Sequence, residues 1–368
     1  MRICFFQPHP TYGSIEEYLS IIINGLNPEL YDITLFCPDA GQTNKLLAQI
    51  KNNIRIIRYP KIKNGVKEIF YLYRQFRKIG PDTVHFNDPC PRAMIAAHLA
   101  GVRYRVLTYH TPTLKVEYNW QGRLAWKMAF DKNLNIIATS ISLKTVMAER
   151  YGLISKKITV INYGLTADKL KANINRQETR KALGLSQDAF ILINVARLCK
   201  QKSQDTLIKS IAYLPKDIYD RINLLIAGSG ELHAELKMLI GKLNLQNKVF
   251  LLGHRQDIPD VLNCSDLFVL SSSFEGACFA LIEAMAMGLP IVATDIDGVR
   301  DTILDNVTGM LIPRNNPEKL ALAVSELCRD KEKRLMLGNN GKKRFHEEFR
   351  SEKMIQRTEK YYEELAGG

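Results

Sequence analysis

No run of about 18 uncharged apolar residues occurs in the 368-residue chain, which excludes a membrane-spanning helix by length and composition. The opening MRICFFQPHP is too briefly apolar for a signal peptide and reads as a first β-strand. Cysteine pairs are missing too. The seven cysteines (Cys4, Cys37, Cys90, Cys199, Cys264, Cys278, Cys328) are odd in number, scattered and without a C-x-x-C. That pattern predicts reduced thiols in a cytosolic protein rather than a disulfide framework or a zinc site. The seven histidines show no H-E-x-x-H or similar spacing, so no metal ligands are assigned. Glycine is short where a dinucleotide fold would need it. PTYGSIEEY carries one glycine in place of the three of G-x-G-x-x-G, which argues against an oxidoreductase although Asp39 ends the second strand as a ribose ligand would. No low-complexity segment, short repeat or nucleic-acid-binding motif is present, and nucleic acid is not expected as a partner.

What is present is ordinary in bulk and uneven in detail. Hydrophobic residues make up 46% and charged residues 24%, as in soluble globular proteins. The net charge of +13 sits almost wholly in the first half: residues 1–170 hold 23 Lys and Arg against 12 Asp and Glu, and the remainder 28 against 26. Its densest part is 51–78, with nine bases, one acid (Glu68) and interleaved Phe70, Tyr71, Tyr73 and Phe76. An anionic membrane surface suits such a segment, each nearby Lys or Arg contributing about 1 kcal/mol, and the plain alternative is a solvated charged face. Lys61, Lys63 and Lys67 head the membrane-side residues. The localisation expected is cytoplasmic and peripheral on the inner face of the membrane.

The chain exceeds the usual size of one domain. Short β-branched runs alternate with helical patterns: MRICFF, YDITLFC, IRIIRYP, TVHFN, RVLTYH, IIATS and ITVIN in a first series, then FILINVARL, INLLIAGSG, KVFLLGH, LFVLSS and PIVATD in a second. Strand–helix alternation predicts an α/β protein of two doubly wound, Rossmann-like domains, 1–165 and 166–350, with the amphipathic helix 351–368 placed back on the first. Ligands of such sheets bind beyond the carboxyl ends of the strands, and two such domains facing across a cleft suit a reaction joining two substrates.

Four segments hold candidate chemistry. SSSFEGACFALIEAMAMGLPIVATD (271–295) reads as strand, loop and helix, with Gly288 and Pro290 ending the helix. Backbone amides near Phe279, Ala280 and Leu281 then open a helix at the ligand edge, where the helix dipole favours phosphate. Glu283 lies one turn inside, within reach of ribose hydroxyls; Glu275 and Gly276 precede the helix. The competing assignments are a buried salt bridge for Glu283 and a solvated loop position for Glu275. NVARLCKQKSQDTL puts Arg197 just past a strand and Lys202 five residues on, two cations able to stabilise one departing anion, although surface Lys and Arg are common. His110 ends RVLTYH at the carboxyl edge of the first sheet, where a lone histidine is often structural. Gly13 and Ser14 begin the first helix, and Gly228 and Arg255 follow strands of the second sheet.

The 271–295 stretch, with its E-x7-E spacing, the glycine after the first glutamate and the AMAMGLPIVATD continuation, resembles the family-four retaining glycosyltransferases of the GT-B fold. R-x4-K at Arg197 and Lys202 is similar to the same family, with Ser203 where the family has glycine, and Tyr12–Gly13 stands where it often has Gly-Gly. The likeness extends over most of the chain and is strongest from about 190 to 320. It implies transfer of a hexose-type sugar from a nucleotide diphosphate donor, UDP-sugar favoured and GDP-mannose next, with no metal or other cofactor required. By the same resemblance Glu283 binds ribose, Glu275 faces the donor sugar, Phe279 to Leu281 cradle phosphate, Arg197 and Lys202 hold the leaving diphosphate, His110 lies near the donor sugar, and Gly13, Ser14, Gly228, Arg255 and Gly276 neighbour the donor. The first domain binds acceptors in that family. With Tyr118, Trp120 and Trp126 after His110, the basic segment suggests a lipid-linked or cell-envelope glycan, or a surface glycolipid, as acceptor. Other reaction types of the GT-B fold (an epimerase or phosphorylase), transfer to a small soluble acceptor, and a non-catalytic binding protein are the alternatives.

Overall fold

The computed structural model describes residues 1–10, 13–110, 134–151, 157–276 and 278–367. They fall into two compact units, residues 1–164 with 351–368, and residues 165–350. Each is a parallel sheet between helices.

In the first unit β1 (Arg2–Phe6), β2 (Asp32–Pro38), β3 (Arg55–Tyr59), β4 (Thr83–Phe86), β5 (Tyr104–Tyr109), β6 (Leu134–Ala138) and β7 (Ile158–Val160) align in the order β3-β2-β1-β4-β5-β6-β7. Every ladder is parallel, for example Phe6 beside Phe36 on one flank and Phe86 on the other. Parallel strands are covered on both faces, so they read as continuous apolar runs. Phe5, Phe6, Leu35, Phe36, Val84 and Phe86 are all buried. Along β1 to β3, Phe6, Phe36, Tyr59 and Phe76 cluster with ring centroids 5.3–6.4 Å apart, Phe6 stacking on Phe36 and Tyr59 and meeting Phe76 edge-on. The helix Ser351–Gly367 packs on the helix Ser14–Gly25 and buries Met354, Thr358 and Tyr362.

In the second unit β8 (Phe190–Val195), β9 (Ile222–Ala227), β10 (Val249–Gly253), β11 (Leu267–Leu270), β12 (Ile291–Thr294) and β13 (Met310–Ile312) align as β10-β9-β8-β11-β12-β13, again all parallel. The sheet has six strands where five were expected. β13 has only three residues and is held by its ladder to β12, Val292 beside Met310 and Thr294 beside Ile312. The expected strands FILINVARL, INLLIAGSG and ITVIN also stop early, at Val195, Ala227 and Val160. Gly228 shows why in one case: its φ of +151° turns the chain out of the sheet, into a conformation that costs glycine little.

Strand order reverses between β1 and β4 in the first sheet and between β8 and β11 in the second. These two switch points are where a doubly wound sheet opens a crevice at its carboxyl edge. The residues after β8 and β11 are Ala196–Ser203 and Ser271–Cys278, and those after β1 and β4 begin at Gln7 and Asn87.

Candidate active site

At the second unit's switch point two loops are stitched together. Ser273 donates its backbone N–H to the Gln201 carbonyl (2.8 Å), the Gln201 side chain donates to the Phe274 carbonyl (2.9 Å), and the Ser271 hydroxyl donates to the Lys202 carbonyl (2.9 Å). The centre of the join is ionic. Lys202 Nζ lies 2.5 Å from Glu275 Oε1, with the two side chains only 13% and 4% exposed. Gln201 Nε2 reaches the other carboxylate oxygen at 3.4 Å. Burial alone would push the Lys202 ammonium down, but Cys278, a thiolate in the high range where the ammonium titrates, and the Glu275 carboxylate outweigh it, and its pKa is raised. Lys202 is therefore a cation whose charge is shared with Glu275, and Glu275 is neither solvated nor alone.

Ser203 sits at φ +46° and ψ +44°, the left-handed region that favours glycine. The serine keeps the glycine conformation, and its hydroxyl meets the Ser273 hydroxyl at 2.6 Å, adding one more tie between the loops. Glycines shape the surroundings by close approach. A Cβ on Gly228 would stand 1.8 Å from the Ala196 carbonyl oxygen, and one on Gly230 2.3 Å from that of Leu198. The loop carrying Arg197 is thus clasped by the loop after β9, with Leu198 N–H donating to Ser229 (3.0 Å) and Leu232 N–H to Leu198 (3.1 Å). Likewise a Cβ on Gly298 would lie 2.3 Å from the Gly276 oxygen and 2.4 Å from that of Glu275.

The helix Phe279–Ala286 begins where Cys278 offers no side-chain cap and ends at Gly288, φ +72°. Phe279 and Leu281 are buried, Ala280 and Glu283 half-buried. Glu283 is one turn beyond Phe279 on this helix. Its far side packs on the helix Lys331–Glu348, where Gly338 admits the Gly288 carbonyl so closely that a Cβ would be 2.2 Å from it. Arg197 is exposed. Arg255, after the edge strand β10, is held by a two-point pair with Asp257.

The first unit's switch point is a buried polar chain. Gln7, Asn87 and His110 directly follow β1, β4 and β5, three neighbours in the sheet, and all three are at most 2% exposed. Gln7 Nε2 donates to Glu16 Oε1 (2.7 Å), Asn87 Nδ2 to Gln7 Oε1 (2.7 Å), and His110 Nε2 lies 3.3 Å from Asn87 Oδ1. His110 Nδ1 meets the Tyr163 hydroxyl at 2.5 Å. Burial, and after it the nearby His85, push the His110 pKa down to about 3, so the ring is neutral. Both ring nitrogens are thus engaged inside the unit. The Gly13 amide, expected to neighbour the donor, is taken as well: it donates to Glu16 Oε2 (2.8 Å), the glutamate three residues on reaching back over the helix start. Ser14 remains exposed.

Three other assignments lie away from these two switch points or outside the described residues. Lys61, Lys63 and Lys67 are exposed, and the helix Gly65–Ile79 also exposes Val66 and Phe70, with Arg74 lying 4.4 Å over the Phe70 ring. Tyr118, Trp120 and Trp126 lie outside the described residues. Asp39 faces Arg58 at 3.4 Å. An Asp-x-Asp, not expected from the sequence reading, is present at Asp295 and Asp297, and both carboxylates pair with Arg300. No group of three or more His, Cys, Asp and Glu that could hold a metal occurs among the described residues. Glu16, Gln7, Asn87 and Tyr163 were missed by sequence reasoning; the available signal was their position, since Gln7 and Asn87 each directly follow a strand flanking the reversal.

Known proteins share this plan. Solved structures of Anabaena HepE, in complex with UDP and with UDP-glucose, superpose with TM-scores of 0.85 and 0.83 at 22% identity, covering 99% of this chain and all of theirs. They share the fold, which is that of the GT-B glycosyltransferases. The UDP-Gal:alpha-D-GlcNAc-diphosphoundecaprenol alpha-1,3-galactosyltransferase of Escherichia coli is 28% identical over 92% of this chain and 91% of its own length. The capsular polysaccharide biosynthesis glycosyltransferase CapM of Staphylococcus aureus is 26% identical over 92% of each. Residues 15–169 match the family model of glycosyltransferase family 4, and residues 175–344 that of glycosyl transferases group 1. Those two stretches take in most of the chain, and the protein belongs to the group 1 glycosyltransferase family.

Proposed function

We propose that the chain is a retaining glycosyltransferase that moves a hexose-type sugar from a nucleotide diphosphate donor, a UDP-sugar first and GDP-mannose next, to a hydroxyl of a lipid-linked or cell-envelope glycan. The observation that carries this reading is the Lys202–Glu275 pair at the second unit's switch point, beside the helix that begins at Phe279 and bears Glu283. Ribose hydroxyls go to Glu283, the diphosphate to the amides of Phe279 and Ala280, the expected Leu281 N–H being given already to the Cys278 carbonyl (3.1 Å), and the sugar to Glu275. In the reaction the bond from the sugar's anomeric carbon to the phosphate oxygen breaks and the bond to the acceptor oxygen forms on the same face. The acceptor's proton passes to the departing phosphate oxygen. Arg197 and Lys202 meet the charge that grows on the leaving group, where a fixed cation contributes most. No metal or other cofactor is assigned a role.

The uridine donor is supported by the HepE complexes with UDP and UDP-glucose and by the E. coli relative, whose name specifies UDP-Gal. The glycolipid acceptor is supported by that same name, which specifies a diphosphoundecaprenol carrier, and by the basic face at Lys61, Lys63, Lys67 and Arg74 with exposed Phe70 among them. That face is the support for a peripheral, membrane-facing position; no helix among the described residues is long and apolar enough to cross a membrane. Transfer to a small soluble acceptor is the second reading, favoured by a 24%-identical relative, the N-acetyl-alpha-D-glucosaminyl L-malate synthase of Bacillus anthracis.

A panel of UDP- and GDP-sugars, scored by thermal shift and by nucleotide release with and without acceptor, tests the donor. A UDP-sugar is expected to stabilise the protein most. No response to any nucleotide sugar would remove the proposal, and a product of inverted anomeric configuration would remove its retaining step.

A further inference from the structure

The polar chain at the first unit's switch point has a direction, because one end is a carboxylate. Glu16 only accepts when ionised, so Gln7 must present its NH2 to it and its carbonyl oxygen to the next residue. A second contact agrees: Gln7 Nε2 is also 3.3 Å from the His9 carbonyl. Asn87 then has to present NH2 to Gln7 Oε1, and again a second carbonyl, that of Ile15 at 3.3 Å, takes the same NH2. That leaves Asn87 Oδ1, an acceptor, facing His110 Nε2. In a neutral imidazole the nitrogen facing an acceptor carries the hydrogen and the other accepts. Nδ1 therefore accepts from the Tyr163 hydroxyl.

We infer that Glu16 is a positioning residue: through Gln7 and Asn87 it fixes His110 as the Nε2–H tautomer, with Nδ1 accepting from Tyr163. The ring plane is fixed with it. His110 stacks against Tyr163 (centroids 5.6 Å, 23° between planes) and takes the edge of Tyr18 (5.0 Å, 75°). The whole chain hangs on one charge at the start of the helix Ser14–Gly25, where Glu16 also holds the Gly13 amide. Replacing that carboxylate by an amide sets up a conflict. The amide must either offer NH2 toward the Gly13 N–H, or turn over and force Gln7, Asn87 and the histidine proton to turn with it.

The consequence for sugar transfer rests on the function proposed above, but the tautomer itself does not, so the two fail separately. The test is 15N spectroscopy of histidine-labelled full-length protein at pH 7.5, with the His110 signals assigned by their loss in His110→Asn. The wild type is expected to show a pyrrole-type Nε2 and a pyridine-type Nδ1 and no second form. Glu16→Gln is expected to populate the Nδ1–H tautomer to a measurable fraction. Tyr163→Phe, which removes one oxygen at the far end, is expected to keep Nε2–H, because the direction comes from Glu16. A wild-type ring protonated on Nδ1, a folded Glu16→Gln that keeps a single Nε2–H form, or a switch of tautomer in Tyr163→Phe would each overturn the assignment. Should Glu16→Gln not fold, the wild-type spectrum and Tyr163→Phe still decide it.

Discussion

Lys202→Met strands a carboxylate. The Glu275 side chain is 4% exposed and, with the ammonium gone, keeps the Gln201 amide at 3.4 Å. Breaking a buried pair by removing one partner costs roughly 3–5 kcal/mol, since the remaining charge stays desolvated. For a unit of this size each kcal/mol lowers Tm by roughly 2–4 °C, so a fall of roughly 6–20 °C is expected in the second unit's transition. Removing both charges, as in Lys202→Met with Glu275→Gln, leaves an amide beside Gln201 and is expected to recover most of that loss. The double-mutant cycle should then give a coupling of about 2 kcal/mol or more. Calorimetry of the full chain at pH 8, comparing the wild type, both single variants and the double, is the assay. A Lys202→Met loss under about 1 kcal/mol, or a double variant equal to the sum of its singles, would refute the argument that this pair is a desolvated structural unit. The same series separates stability from binding: the double variant regains Tm but not its response to nucleoside diphosphates, if the ammonium also meets phosphate as proposed.

Other outcomes follow from the same geometry. Gly298→Ala places a Cβ 2.3–2.4 Å from the carbonyls of Gly276 and Glu275, so a loss of about 1–3 kcal/mol by chemical denaturation is expected, with weakened UDP-sugar response; an unchanged variant contradicts the close approach. Ser203→Gly relieves a left-handed backbone worth about 1–2 kcal/mol and loses a hydroxyl contact worth about 0.5–1.5 kcal/mol, so a net change between a loss of about 0.5 and a gain of about 1.5 kcal/mol is expected, and a large loss would mean the Ser273 tie matters more than the backbone. His85 and His110 are both held down to about 3 by burial against an ordinary value of 6.5, so the unfolded chain takes up their protons first. Their stabilisation is whole above pH 6.5 and falls as pH drops toward 3, by about 2 kcal/mol each at pH 5; denaturation midpoints of the first unit that do not fall from pH 7 to 5 would contradict this. Neutralising Lys61, Lys63 and Lys67 to Gln should weaken sedimentation with anionic vesicles by about 100-fold, at about 1 kcal/mol per charge, and unchanged binding would leave the face merely solvated.

Much of the fold was readable because parallel strands buried on both faces leave continuous apolar runs such as LFVL and IVAT. β13 was not, since Met310–Ile312 is too short to show a pattern and exists through its ladder to β12. The helix Thr43–Leu47, five residues long, escaped for the same reason. In the second unit Glu275, Glu283, Arg197 and Lys202 were legible as a group because they fall in two short segments with local spacing, one a loop with the helix that follows it. Their contacts were not: spacing alone shows neither that Lys202 turns to Glu275 nor that Gly228 serves a close approach to Ala196. The Glu16–Gln7–Asn87–His110–Tyr163 chain left still less trace. Its members come from four separate segments, and only the sheet order brings the ends of β1, β4 and β5 side by side.

The helix Ser351–Gly367 belongs to the first unit although the whole second unit is made before it. On a ribosome adding roughly 5–20 residues per second, the first unit waits roughly 10–40 s between Gly164 and its last piece. During that wait Tyr362 has not yet reached the His85 Nδ1 it hydrogen-bonds, and the face of the helix Ser14–Gly25 that the late helix covers stays wet. Birth order is thus the reverse of completion order. A chain cut short before residue 351 finishes its second unit and leaves the first one open, so the defect of premature termination is displayed at the end that was synthesised first.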